Sequence, residues 1–188
     1  MSAISRNTFM LGWRLAISAI LIPALFGLFW LDHRLGPDAP WLLALCTLLA
    51  VRSTWELTEL LKTRSMRPSF GICACGVVAI VASTWIVRWR GHGTMPMIDS
   101  LFAIVAVAAV YLCFVAAAVR FREPGHTMET LGAEVFAVFY CGVLLAMTAQ
   151  MRWLGPDSAW GYAALGSLLV ATKCGDIGGY TLGRLFGK

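Results

Sequence analysis

The sequence predicts an all-α, polytopic integral membrane bundle of about six transmembrane helices, and three observations lead there. Of 188 residues, 59% are hydrophobic and only 13% charged, whereas soluble domains carry about 25% charged residues. The mean hydropathy is +0.75. The apolar residues gather into runs near the ~20 residues that a helix needs to cross a ~30 Å hydrocarbon core. This composition excludes a soluble globular domain. It also excludes disorder, which needs the reverse balance of apolar and charged residues.

The first run, 12–31, opens after Arg6 and Asn7, carries Arg14 and holds Pro23, which a membrane helix tolerates as a kink. It is too long for the apolar core of a secretory signal and lacks a small-x-small cleavage site. After a loop from Asp32 to Pro40, the second run, 41–61, ends on Lys62, Arg64 and Arg67. The third, 70–87, is followed by Arg88 and Arg90, and the fourth, 100–119, by Arg120 and Arg122. The fifth, 131–151, closes on Arg152 and Gly155-Pro156, and the sixth, 159–174, is short and runs into a glycine cluster. No repeat divides the chain, so residues 1–188 read as a single membrane-embedded helical region.

Orientation follows from the basic residues, which favour the cytoplasmic side. With the N-terminus inside, ten fall on inner segments (Arg6, Arg14, Lys62, Arg64, Arg67, Arg120, Arg122, Lys173, Arg184 and Lys188) and four on outer loops (Arg34, Arg88, Arg90 and Arg152). Both termini are therefore expected in the cytoplasm, in a multi-pass protein of the cell's inner (plasma) membrane. The net charge of +5 is a topology signal in so apolar a chain. No basic patch interleaved with aromatics points to nucleic acid, so the expected partner is the lipid bilayer.

The six cysteines sit within or at the end of apolar runs without C-x-x-C spacing, as small buried hydrophobes rather than a disulfide framework or zinc site. His33, His92 and His126 fall in expected loops, and no Ser-His-Asp or Cys-His arrangement is suggested. Ionisable groups inside spans are costly and mark candidate sites. Arg52 and Glu56, four apart, share one helix face; with Glu59 they form either a self-satisfied pair near the cytoplasmic end or a carboxylate lining a cavity. Glu134 and Gln150, near the two ends of the fifth run, are expected at the membrane interface.

The most informative segment is Lys173-Cys-Gly-Asp176-Ile-Gly178-Gly179-Tyr180-Thr-Leu-Gly183-Arg184-Leu-Phe-Gly-Lys188. A carboxylate suits Mg2+, glycines leave backbone N–H groups free to face phosphate, and cations balance its charge. Such a set suits a metal-bound polyphosphate. Three other readings compete. The Gly183 to Lys188 spacing falls short of a P-loop and lacks its Ser/Thr; the glycines at 175 and 179, and at 183 and 187, fit small-residue helix contacts; and the segment could be a polar terminus, although Tyr180 to Phe186 is apolar for that.

The segment resembles the D-x-G-A-Y-x-x-G-[RK]-x-x-G-[KR] motif of the phosphatidate cytidylyltransferases (CDP-diacylglycerol synthases), departing only at Gly179, where the family usually has Ala. More loosely, Arg14 with Pro23, Trp55-Glu56 with Leu60, and Leu131-Gly132 with Tyr140 to Leu145 are similar to earlier segments of that family. The resemblance implies a membrane enzyme that joins CTP and phosphatidate into CDP-diacylglycerol and diphosphate in phospholipid biosynthesis, with Mg2+ as cofactor, and leaves a homodimer open. Asp176 would be the catalytic and metal residue. Gly178, Gly179, Tyr180 and Gly183 would shape the substrate pocket, and Arg184 and Lys188 would face phosphate. The family's Ser-Pro-x-Lys-Thr stretch and acidic C-terminal signature are not found before Lys188, so the chain is expected to be the N-terminal part of such an enzyme. The alternative is a non-catalytic membrane assembly or lipid-binding protein.

Overall fold

A computed structural model describes residue 20 and residues 22–36, 40–64, 66–89, 95–122, 125, 127–155 and 158–186. Among them every regular element is helical. Helix α1 covers residues 22–35, α2 Pro40–Lys62, α3 Phe70–Trp89, α4 Met95–Arg120, α5 Thr127–Ala137, α6 Leu144–Gln150 and α7 Ser158–Phe186. A π-helical turn, Val138–Val143, joins α5 to α6, and a 3-10 turn, Met151–Trp153, ends α6. The backbone is thus helical without a break from Thr127 to Trp153. Ser100–Arg120 and Thr127–Trp153 are long and apolar enough to cross a membrane, and Phe70–Ile86 is a shorter apolar helix. Helix α2, diluted by Arg52, Glu56 and Glu59, and α7, with Lys173 and Asp176, are long but less apolar.

The helices follow the apolar runs, with four differences. Residues 12–19 and 21 of the first run lie outside the described residues. The helix beyond them extends to residue 35, which puts His33 in a helix rather than a loop. Helices α4 and α5 begin four or five residues before their runs, with Pro96 in the first turn of α4, where its missing N–H costs nothing. Helix α7 continues past residue 174 to Phe186.

The chain divides into two compact units, Met1–Leu42 and Leu43–Lys188. In the first, Gly36 ends α1 at φ +89°, a left-handed conformation that glycine adopts freely. The buried Asp32 carboxylate accepts the Leu42 N–H at 3.2 Å. Pro40 occupies the first position of α2, so Asp32 caps the donor end of that helix with a negative charge, where the helix dipole favours it.

In the second unit α3 is the hub, packing on α4, α5, the π turn and α6. Its buried residues Cys73, Val77, Ile80, Val81 and Trp85 recur at helical spacing. Glycines allow the helices to approach closely: a Cβ on Gly76 would stand 3.2 Å from that of Ala109, and one on Gly142 would stand 3.0 Å from Ile80 Cδ1 and 3.4 Å from the Val77 Cα. Close approach through small residues brings neighbouring helices into van der Waals contact. Along α2, buried Thr54 and Thr58 return their hydroxyls to the carbonyls of Ala50 and Trp55 at 2.7 and 2.9 Å. Two polar groups are thereby satisfied within the helix that bears them.

Opposite ends of this unit are closed by different devices. At one end, Glu134 of α5 is fully buried. Nη2 of Arg120, the last residue of α4, lies 2.9 Å from both of its oxygens, and the Ser69 N–H donates to Oε1 at 2.8 Å. At the other end, Arg152 is 4% exposed, donates to the Tyr162 hydroxyl at 3.0 Å, and holds its guanidinium 5.2 Å from the Trp153 ring centroid. Trp153 meets Trp85 edge to face at 4.8 Å. Gly161 of α7 lies directly against the Arg152 carbonyl, with no space for a Cβ.

Candidate functional site

The Asp176 segment is built on the second half of α7. Where the sequence suggested backbone N–H groups free to face phosphate, the structure makes the segment helical through Phe186. Those N–H groups are engaged by carbonyls four residues back, so phosphate would be met by side chains. Asp176 and Tyr180 lie four apart on one face, with Lys173 a turn before them. The Lys173 ammonium is 3.9 Å from the Asp176 carboxylate. Asp176 is 68% exposed, and Tyr180 and Gly179 are exposed with it. Gly175, Gly179 and Gly183 follow at four-residue spacing, and a Cβ at any of them, or at Gly178, would meet nothing within 4 Å.

Arg184 lies on the helix, but its side chain, and Lys188 altogether, fall outside the described residues. Asp176, Gly179, Tyr180 and Gly183 are therefore brought together within two helical turns on one accessible face, whereas the half-buried Gly178 lies on the opposite side of the helix. In contrast, α7 is anchored at its start, where Gly161 and Leu165 are buried.

For a divalent cation the donor set is small. Among the described residues no three His, Cys, Asp or Glu side chains cluster, so no protein cage for a metal is built. Mg2+ commonly keeps several waters and takes one or two carboxylates together with substrate phosphates. Asp176 fits that second arrangement, as one accessible carboxylate for a metal that arrives with a polyphosphate.

The ionisable residues of α2 sit as their spacing suggested. Arg52 reaches Glu56 at 3.5 Å and stacks over Trp55 at 4.4 Å, and Lys62 reaches Glu59 at 2.6 Å. All four are substantially exposed, so these pairs stabilise little. Beside them an open apolar groove of about 740 Å³ runs between α2 and Phe70 of α3, and a second cavity of about 450 Å³ lies at the turn lined by Lys62, Met66, Arg67 and Pro68.

Two charged residues were undervalued by sequence reasoning. Glu134 is not interfacial but completely enclosed, and Arg152 is not a loop cation but a buried one. A signal for Glu134 exists: it faces Arg120 across a short connection, at the adjoining ends of two consecutive helices. All six cysteines are free thiols. Cys46, Cys73, Cys113 and Cys141 are buried, while Cys75 and Cys174 are exposed.

Compared with known proteins, residues 13–188 match the profile of the cytidylyltransferase family. Neither a curated protein nor a solved structure matches significantly.

Proposed function

The chain belongs to the cytidylyltransferase family, and on that premise we infer that it is a membrane-embedded phosphatidate cytidylyltransferase converting CTP and phosphatidate to CDP-diacylglycerol and diphosphate. Family membership implies CTP as the substrate and nucleotidyl transfer as the reaction. The observation that carries the finer assignment is the Asp176 to Lys188 motif, which lies within the matched residues and whose Asp176, Gly179, Tyr180 and Gly183 share an accessible helix face. In the reaction a phosphate oxygen of phosphatidate attacks the α-phosphorus of CTP, a phosphoanhydride P–O bond breaks, and diphosphate leaves. Transfers of this kind depend on alignment and charge neutralisation.

Asp176 is the group for the metal of metal-bound CTP; when bound, Mg2+ neutralises charge on the phosphates. Tyr180, with Gly179 and Gly183 beside it, leaves a smooth strip against which a nucleotide can lie close to the helix. Arg184 and Lys188 are assigned to phosphate oxygens. Six spans with both termini in the cytoplasm, as the distribution of Lys and Arg favours, put this strip where CTP is available. A homodimer accords with the free face of α7.

A second reading, a non-catalytic lipid-binding or assembly protein, draws on the lone carboxylate of the segment. The two are separated by incubating the reconstituted chain with CTP, phosphatidate and Mg2+, alone and joined to a C-terminal half carrying the family's Ser-Pro-x-Lys-Thr stretch. CDP-diacylglycerol formed by the joined protein and lost in Asp176→Ala supports the enzyme. Product unaffected by Asp176→Ala removes the role given to that residue, and no product from either form favours the binding protein.

A further inference from the structure

The α2–α3 corner carries features that the Asp176 segment does not use. The apolar groove is walled by Ala44, Leu48, Val51 and Trp55 along one face of α2 and by Phe70 at the start of α3. From Trp55 to Ala44 it follows about 16 Å of helix at 1.5 Å per residue, near the depth of one bilayer leaflet. Arg52 also borders it, but its charge is answered by Glu56 and its guanidinium lies over Trp55. The groove wall therefore presents apolar and aromatic surface.

Two residues before Phe70 the character changes. Pro68 and Met66 line the smaller cavity with Lys62 and Arg67. Lys62 already has Glu59 as partner. Arg67 is exposed and pairs with no acid among the described residues. The turn is fixed from beneath, because the Ser69 N–H is held by the buried Glu134 carboxylate, itself clamped by Arg120. A cation on an anchored turn, three residues before the Phe70 that lines an apolar groove of leaflet depth, matches a molecule with an anionic head and a hydrocarbon tail.

We propose that the α2–α3 corner binds a lipid with a phosphate headgroup, the phosphate at Arg67 and Lys62 and an acyl chain in the groove from Trp55 toward Ala44. The charge of the turn selects anionic over zwitterionic headgroups, since a guanidinium binds phosphate through charge-assisted hydrogen bonds. Glu134 is a positioning residue here, acting through Ser69. The site deepens the phosphatidate assignment and rests on it for the lipid's identity, but it lies on elements other than α7.

The test titrates the micelle-purified chain with dihexanoyl phosphatidate, dihexanoyl phosphatidylcholine and inorganic phosphate, reading tryptophan fluorescence. Saturable binding of the phosphatidate, weakened about tenfold by Arg67→Gln as expected for one lost charge-assisted hydrogen bond, and weakened by Val51→Trp one turn from Trp55 in the groove, supports the site. Arg122→Gln, an equal charge change near the same end but outside the cavity lining, should leave binding unchanged. Equal loss in Arg122→Gln and Arg67→Gln overturns it in favour of diffuse surface attraction. Inorganic phosphate bound as tightly as the lipid overturns the lipid occupant, and phosphatidylcholine bound equally overturns the headgroup role. Unchanged binding in Arg67→Gln beside CTP-dependent turnover by the joined protein sinks this site alone, whereas Arg67-dependent binding with no turnover by either form sinks only the enzyme assignment.

Discussion

The bundle formed by α3 to α6 and the second half of α7 treat charge and glycine in opposite ways. In the bundle, Glu134 and Arg152 are enclosed by specific partners, and Gly76 and Gly142 stand where a neighbouring helix fills the space. On α7 beyond Leu165, Asp176 faces solvent with only a loosely placed lysine beside it, and Gly175, Gly179 and Gly183 face open space. A buried charge needs every one of its partners because an unpaired ion in the interior is expensive. An exposed charge is available for something else. The bundle therefore reads as scaffold and the α7 strip as the part kept free for a ligand, so substitutions in the two regions should separate stability from activity.

The largest effect should come from Gly161, where a side chain has no space against the Arg152 carbonyl. Gly161→Val should destabilise by about 3 kcal/mol or more, seen as loss of folded protein by size-exclusion chromatography in detergent; a folded variant with an unchanged thermal midpoint would break the comparison. Next comes Glu134→Ala, which should cost about 2–3 kcal/mol. It leaves the part-buried Ser69 N–H without its acceptor and takes the carboxylate from Arg120, whose half-exposed guanidinium keeps the Ala116 carbonyl. Adding Arg120→Met should recover part of that loss, since the cation facing the vacated apolar site is removed; a double variant no better than the single one would deny the pairing.

A smaller effect is expected of Gly142→Ala. Its Cβ meets the flexible end of Ile80 but also the Val77 backbone, so about 1–2 kcal/mol is the expected cost, with the midpoint lowered. Gly179→Ala should have the opposite sign. It adds a methyl to an exposed helix position with space around it and should stabilise by up to about 1 kcal/mol through helix propensity. A lowered midpoint would mean that something packs against this strip.

The helices were legible because each apolar run ends in charge or in Gly-Pro, and the structure follows those runs within a few residues outside α1 and α7. Helix α7 runs past the expected end at residue 174 because the glycine-rich segment continues the helix through Phe186. Several glycines in succession weaken a helix but do not bar its φ and ψ. The candidate site was legible as residue types, since Asp176, Tyr180 and the glycines lie at helical spacing in the sequence itself. Of the Glu134 clamp only the Arg120 partner had a local signal, across the short α4–α5 connection; the Ser69 N–H comes from the α2–α3 turn, and local spacing carries no record of that contact. The π turn at Val138–Val143 was equally hidden, as it changes hydrogen-bond register without changing composition.

The account's central claim is that Asp176 acts in chemistry while the bundle only supports it. The most direct test measures CTP-dependent CDP-diacylglycerol formation and the thermal midpoint together for Asp176→Asn, in the joined protein that carries the C-terminal half. The account predicts product formation reduced at least a hundredfold, about 2.7 kcal/mol of transition-state stabilisation, with the midpoint unchanged. Undiminished product formation would contradict it, and so would a fall in activity that is matched by a fall in the midpoint.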